Sequence, residues 1–266
     1  MKQLVLVLLG LGLVAPAQAS LLVGNDDTTT PVAANAWDVD VSDGSATVLW
    51  GDANPDVWGM AYGGGTVFAS SGSELYAGTL GSGNPPLRGN ITFGGANLTV
   101  VGLAWANGNL YASRNISSEG IYEVDPNTLE ASLVLDYDDA SFDFGGLAYN
   151  PLDGLFYGTN DDATPLGSGL YSLDIFGGGA ISLITPYPAG ETDIDGLAVG
   201  DGVAYLVEDE AGDTIHPFDL ASGLYLPDIA NPMTSSEIFS GAAWVPEPAS
   251  VALLGLGALA LIRRRF

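Results

Sequence analysis

Five segments of this chain are copies of one another, and no other feature narrows the fold as far. They read "VWGMAYGGGTVFAS", "VVGLAWANGNLYAS", "FGGLAYNPLDGLFYGT", "IDGLAVGDGVAYLV" and, cut short, "FSGAAWV". Each contains a marker glycine: Gly59, Gly102, Gly146, Gly196 and Gly241. Their spacings are 43, 44, 50 and 45 residues. A repeat of this length is one supersecondary unit, and several stacked units bury a shared core.

Each copy reads as strands. A small apolar run such as "GLAW" leads into a Gly/Asn/Asp turn and then an alternating strand such as "NLYAS". A third strand follows, as in "GIYEVDPNT", where Asp125, Pro126 and Asn127 are turn formers. A fourth, "LEASLVL", closes the unit. Four short strands per period of about 45 residues predict an all-β β-propeller of about five blades. Pattern and spacing resemble the NHL/YVTN-type propeller repeats. Small residues at the marker let inner strands crowd round one axis. Trp105, Tyr149, Tyr111, Tyr157 and Tyr205 are expected to fill the wedges between blades.

The ends of the repeat predict how the ring closes. The segment "SLLVGNDDTTTPVAANAWDVDVSDGSATVLWG" supplies second, third and fourth strands but no first. The last copy, "FSGAAWV", is a first strand with nothing after it. Together they make one blade, which removes two open sheet edges.

Charge narrows the function. The chain of 266 residues holds 32 acidic side chains against 6 Lys and Arg. Lys2, Arg263, Arg264 and Arg265 stand at the extreme ends, which leaves Arg88 and Arg114 for the body. Such a body repels nucleic acid and attracts cations. Its acidity also serves plain solubility. There is no cysteine, so disulfides and zinc–thiolate sites are excluded.

Propeller repeats also predict which residues gather at one mouth. Three positions before the marker glycines stand Asp56, Thr99, Asp143, Asp193 and Ile238. At the ends of the second strands stand Asn25-Asp26-Asp27, Ser70-Ser71, Arg114-Asn115, Asn160-Asp161-Asp162 and Glu208-Asp209-Glu210. The expected result is a ring of carboxylates with a single arginine. Asp56, Asp143, Asp193, Asp161 and Asp209 are the candidate metal ligands. Crowded carboxylates raise one another's pKa or recruit a cation, and hard oxygen ligands suit calcium. A solvated acidic face is the competing reading, since neither an EF-hand loop nor a glycine-rich nonapeptide repeat is present.

A catalytic reading has less to build on. His216 is the only histidine, and it precedes Pro217 in a predicted third strand, away from the inner mouth. It reads as a surface or structural residue, and any Ser-His-Asp arrangement would have to pass through it. Asp56, Asp143 and Asp193 mimic the layout of five-bladed glycosidases, with three acids at the axis, so hydrolysis of carbohydrate by axial carboxylates is the alternative function. Sugar sites usually offer more basic and aromatic partners than this mouth holds.

Two terminal segments stand outside the repeat. Residues 1–19 have a basic start, an apolar stretch from Leu4 to Val14 and the small-residue pattern Ala17-Gln18-Ala19, which predicts a signal peptide cleaved after Ala19. Residues 20–245 are the propeller. At the other end, Val245-Pro246-Glu247-Pro248 is followed by an uncharged run from Ala249 to Ile262 and by Arg263-Arg264-Arg265. The order predicts an accessible motif, a short transmembrane helix and a cytoplasmic basic end. This tail, 246–266, resembles the PEP-CTERM sorting signal of Gram-negative bacteria. The resemblance implies processing by the membrane protease-transpeptidase exosortase, transient anchoring in the inner membrane, and release to the periplasm, cell surface or medium. The tail says nothing of the body's biochemistry; the role expected of the body is non-enzymatic binding or scaffolding in the extracellular matrix or exopolysaccharide layer, with a polysaccharide or surface protein as partner and calcium as an optional cofactor.

Overall fold

The structure, a computed structural model, describes residues 19–25, 34–51, 56–162, 166–208, 214–230 and 239–247. The expected signal segment and tail helix lie outside these residues. The first blade holds β1 (Ser20–Asn25), β2 (Ala34–Val39) and β3 (Ala46–Gly51). The second holds β4 (Gly59–Gly63), β5 (Thr66–Ser71), β6 (Glu74–Thr79) and β7 (Leu87–Asn90). A small hairpin, β8 (Thr92–Phe93) and β9 (Ala96–Asn97), interrupts the path to the third blade. That blade holds β10 (Leu103–Ala106), β11 (Asn109–Arg114), β12 (Gly120–Val124) and β13 (Ala131–Asp136). The fourth holds β14 (Phe144–Asn150), β15 (Leu155–Asn160), β16 (Gly169–Asp174) and β17 (Ala180–Pro186). The fifth holds β18 (Gly196–Gly200), β19 (Val203–Val207), β20 (Thr214–Asp219) and a split outer strand, β21 (Leu224–Tyr225) and β22 (Ile229–Ala230). Pro227 stands in the split, where it has no N–H for a ladder bond.

The last strand, β23 (Phe239–Val245), returns to the first blade, whose order is β23-β1-β2-β3. Leu22 faces Ala243 and Ser20 faces Val245 in antiparallel register. The ring is closed as the repeat ends predict. The inner strands β4, β10, β14, β18 and β23 each pack on the next, and β23 packs on β4.

The core is five wedges, one per blade interface. Leu21 and Val23 point into the wedge shared with the fifth blade, while Leu22 points into the wedge shared with the second. Both faces of β1, the second strand of its blade, are therefore dry, which is why it reads as an unbroken apolar run. Aromatic pairs join neighbouring blades. Phe68 stacks on Trp105, and Tyr205 on Trp244, each with ring centroids 5.2 Å apart. Tyr111 meets Phe156 edge-on at 4.8 Å.

Four of the marker glycines sit where one inner strand touches the next, whereas Gly196 lies against Val207 of its own blade. A Cβ on Gly59 would collide with the carbonyl of Val101, one on Gly102 with that of Gly145, and one on Gly146 with that of Asp195. Gly241 lies against Gly59 in turn. Hydroxyls from the second strands lock this seam. Ser113 Oγ accepts from the Gly102 N–H at 2.9 Å and donates to the Gly145 carbonyl at 2.8 Å, so one side chain ties two blades. Thr159 Oγ1 accepts from the Gly146 N–H at 2.7 Å.

Candidate functional site

The loops entering the inner strands and leaving the second strands carry the carboxylates. Asp161 follows β15, and Asp193 and Asp195 lie in the connection between β17 and β18. That connection is held to the fourth blade by Asp161 itself. Its Oδ1 accepts from the Tyr187 hydroxyl at 2.9 Å and from the Ile194 N–H at 3.2 Å. Ile194 is fully buried and anchors the loop between the two aspartates. Asp195 lies over Gly145, where a Cβ would strike its carboxylate.

The result is a cluster in which Asp161, Asp193 and Asp195 each bring an oxygen within 4.8 Å of the others. Burial pushes the Asp161 carboxyl up to about 8, and the charges of Asp195 and Asp193 add to it against the two hydrogen bonds. Burial also raises Asp143, which feels Asp162 and Asp193 while Asn115 holds it down. The structure thus brings together two of the predicted ligands, Asp161 and Asp193, with Asp195, which the repeat alignment does not single out. Asp143 and Asp56 stand outside that trio, and Asp209 lies outside the described residues.

The mouth's arginine does not neutralise this cluster. Arg114 donates through Nε to the Ser117 carbonyl at 2.7 Å and through Nη1 to the Thr99 carbonyl at 2.8 Å. It ties two loops together. Nearby Glu119 keeps a buried, unpartnered Oε2. Burial, then Asp139, Asp143 and Asp162, push its carboxyl from 4.5 up to about 7, with Arg114 opposing. The folded chain therefore holds this proton more tightly than the unfolded chain. Between pH 4.5 and about 7 stability falls as pH rises, and the penalty is complete above that window. Glu119→Gln is expected to stabilise the fold by about 1–2 kcal/mol at about pH 8, allowing for solvent screening, and by nothing at about pH 4. Urea unfolding at both pH values checks this; an equal change at both contradicts it.

A second group of ligand-type atoms lies in the fifth blade. Glu191, Glu208 and His216 each bring one within 4.8 Å of the others. His216 and Glu208 are both buried, at 5% and 8% exposure, so of the two expectations for the histidine, surface or structural, the surface one does not hold. Its Nε2 pairs with Glu208 Oε1, and its Nδ1 donates to Asp228 Oδ1 at 2.9 Å. Burial alone would lower the imidazole; the bonds to Glu208 and Asp228 outweigh it and hold the ring above its usual value. The signal in sequence was faint, because Asp228 follows Pro227 in an outer strand that the repeat gives no reason to single out.

The axial channel is lined by the three residues after each marker glycine, among them Met60, Ala104, Ala148, Ala198 and Ala243. Its volume of about 50 Å³ is room for a water or two, not a sugar ring.

The chain's last described residues bear on its destination. Val245 ends β23, and Pro246 and Glu247 follow it exposed. Pro248 and Arg263 to Arg265 lie outside the described residues. Residues 245–265 match the PEP-CTERM protein-sorting motif. The PEP-CTERM motif marks an exported protein with a C-terminal sorting tail and implies processing by exosortase. No curated protein matches the chain in sequence.

Among solved structures, the chain is similar to a Bacteroides thetaiotaomicron protein of unknown function at 13% identity and a TM-score of 0.51. That match covers 86% of this chain and 72% of the other, and it supports the propeller fold alone. Hydrazine synthase of Kuenenia stuttgartiensis matches at 15% identity and a TM-score of 0.43, over 65% of this chain and 48% of that one. Apo AztD of Citrobacter koseri matches at 17% identity and a TM-score of 0.39, over 87% and 61%. The chain thus spans about half to three-fifths of the length of these last two structures.

Proposed function

We propose that this exported propeller is a non-enzymatic binding or scaffolding module of the extracellular matrix, and that its acidic mouth takes calcium. The observation that carries the reading is the convergence of Asp161, Asp193 and Asp195, with Asp161 pushed up to about 8 by burial and by its neighbours. Carboxylates held this close give a divalent ion several hard oxygens, and the ion relieves their repulsion. Asp143 and Asp56 are mouth residues that can add to an outer ring of charge, and Asp209 is assigned to the same ring from its repeat position. An extracellular polysaccharide or surface protein then binds across the ion-bearing mouth. The narrow channel, too small for a sugar ring, favours binding at this surface over hydrolysis at the axis.

Calorimetric titration of calcium chloride into the full-length chain tests the reading. Heat and a raised melting temperature are expected, both lost in Asp161→Asn and Asp193→Asn. Absence of both in the unsubstituted chain retires the calcium site. Calcium-dependent retention on a polysaccharide array, with no product release, is the expected signature of the binding role. Release that vanishes in Asp143→Asn would instead mark a hydrolase.

A further inference from the structure

We propose that His216, Glu208 and Glu191 form a binding site for a divalent transition metal of the zinc type, distinct from the aspartate cluster and independent of the reading above. The three residues come from three places that the fifth blade brings together. His216 is on β20, Glu208 follows β19, and Glu191 lies in the connection that enters the blade. Leu206 and His216 are register partners, so His216 and Glu208 project from the same face of adjacent strands. One ligand-type atom from each of the three falls within 4.8 Å of the others. Three protein ligands around one point is the protein share of a four-coordinate zinc centre whose fourth ligand is a water.

The donor set selects the metal. An imidazole nitrogen suits zinc, copper, nickel and cobalt, and it is a poor ligand for calcium or magnesium. The all-oxygen aspartate trio has the opposite preference, so the two clusters divide the cations between them. The outer contacts also fit. Asp228 accepts from Nδ1–H at 2.9 Å, which fixes the ring and leaves Nε2 as the inward nitrogen. A carboxylate behind a ligating histidine is the usual support for such a ligand, and it strengthens the ring as a donor. Glu208 is itself oriented, since its Oε2 accepts from the Thr214 N–H at 2.9 Å and its Oε1 faces the ring.

Charge points the same way. Glu191, Glu208 and Asp228 surround one imidazole. A proton on the ring offsets one of three carboxylate charges, whereas a divalent ion in its place offsets two. Binding releases the Nε2 proton to solvent and moves the Glu208 oxygen from that proton to the metal.

The single histidine makes the test direct. The untagged full-length chain gives one imidazole spin system in a nitrogen-15 NMR spectrum. Stoichiometric zinc chloride is expected to shift its Nε2 resonance, and cobalt chloride to give visible d–d absorption. His216→Gln is expected to lose zinc binding by about 100-fold or more, and Asp228→Asn to weaken it by about 10- to 100-fold. Asp161→Asn is expected to leave it unchanged, and excess calcium not to compete. An Nε2 resonance that zinc does not move overturns the proposal in the wild-type chain, whether or not the His216 variant folds. Zinc affinity lost in Asp161→Asn and kept in His216→Gln would place the metal at the mouth and overturn it equally.

Discussion

A chain ending at residue 238 is expected to lose its cooperative melting transition, while a chain ending at Glu247 melts like the full-length protein. The difference is β23 alone with its two following residues. This strand pairs with β1 from Ser20↔Val245 to Asn25↔Phe239, and it packs between β18 and β4. Ala242, Ala243 and Val245 are buried, and Trp244 stacks on Tyr205 of the fifth blade. Its removal uncovers the N–H and C=O edge of β1 and opens both wedges flanking the first blade. Leu21, Leu22 and Val23, all fully buried, then face water. A bare edge with an apolar face invites pairing between chains. Size-exclusion chromatography and thermal melts read the outcome: aggregation and a broad transition are expected for the shorter chain. A peptide of sequence "FSGAAWVPE" added in trans is expected to restore part of the transition by filling the vacant strand position. A monomer with an unchanged melting temperature after truncation would mean that the ring does not depend on this closure.

The same strand links fold to destination. Val245 is both the last residue of β23 and the first residue matched to the PEP-CTERM motif. The exposed Pro246 and Glu247 begin where pairing stops. Proline supplies no ladder donor, so Pro246 cannot extend the pairing of β23.

Legibility in the sequence followed how strictly each feature is tied to the repeat. Ring closure was legible because "FSGAAWV" is a first strand without followers and "LLVGN" a second strand without a predecessor. Most of the wedge aromatics were legible because they recur at matched offsets: Trp105 and Tyr149 three residues after their marker glycines, Tyr111 and Tyr205 nine. The hairpin β8–β9 carried a local signal, Gly94-Gly95, both in the left-handed region, but it belongs to one inter-blade connection and so escaped a reading based on copies. Asp195 escaped for a related reason. It stands immediately before Gly196, where the other copies carry Trp58, Val101, Gly145 and Ser240, and only the fifth blade places a charge there. Its position depends on Gly145 of the neighbouring blade, which no local pattern encodes. The Glu208–His216–Asp228 chain is tertiary throughout, since Pro227 splits the outer strand and sets Asp228 beside β20.

Gly102→Ala is expected to damage the fold severely. The added Cβ would meet the Gly145 carbonyl, the Leu147 N–H nitrogen at 2.7 Å and Ser113 Oγ at 2.6 Å. Two of these atoms are backbone of the next blade's inner strand, so no rotamer change relieves the clash. The third is the hydroxyl that bridges Gly102 and Gly145, so displacing it leaves buried polar groups without partners. Overpacking together with a broken buried bridge should cost about 3 kcal/mol. In a domain of this size that corresponds to a fall in melting temperature of roughly 6–12 °C. Gly51→Ala is the matched control: an added Cβ there meets nothing within 4 Å, and a change near zero is expected. Ser113→Ala separates the two contributions, because it removes the bridge without adding volume and should cost about 1–3 kcal/mol. If Gly102→Ala and Gly51→Ala melt together, the marker glycines are not spacers between backbones, and the repeat must owe its glycine to something other than the seam between blades.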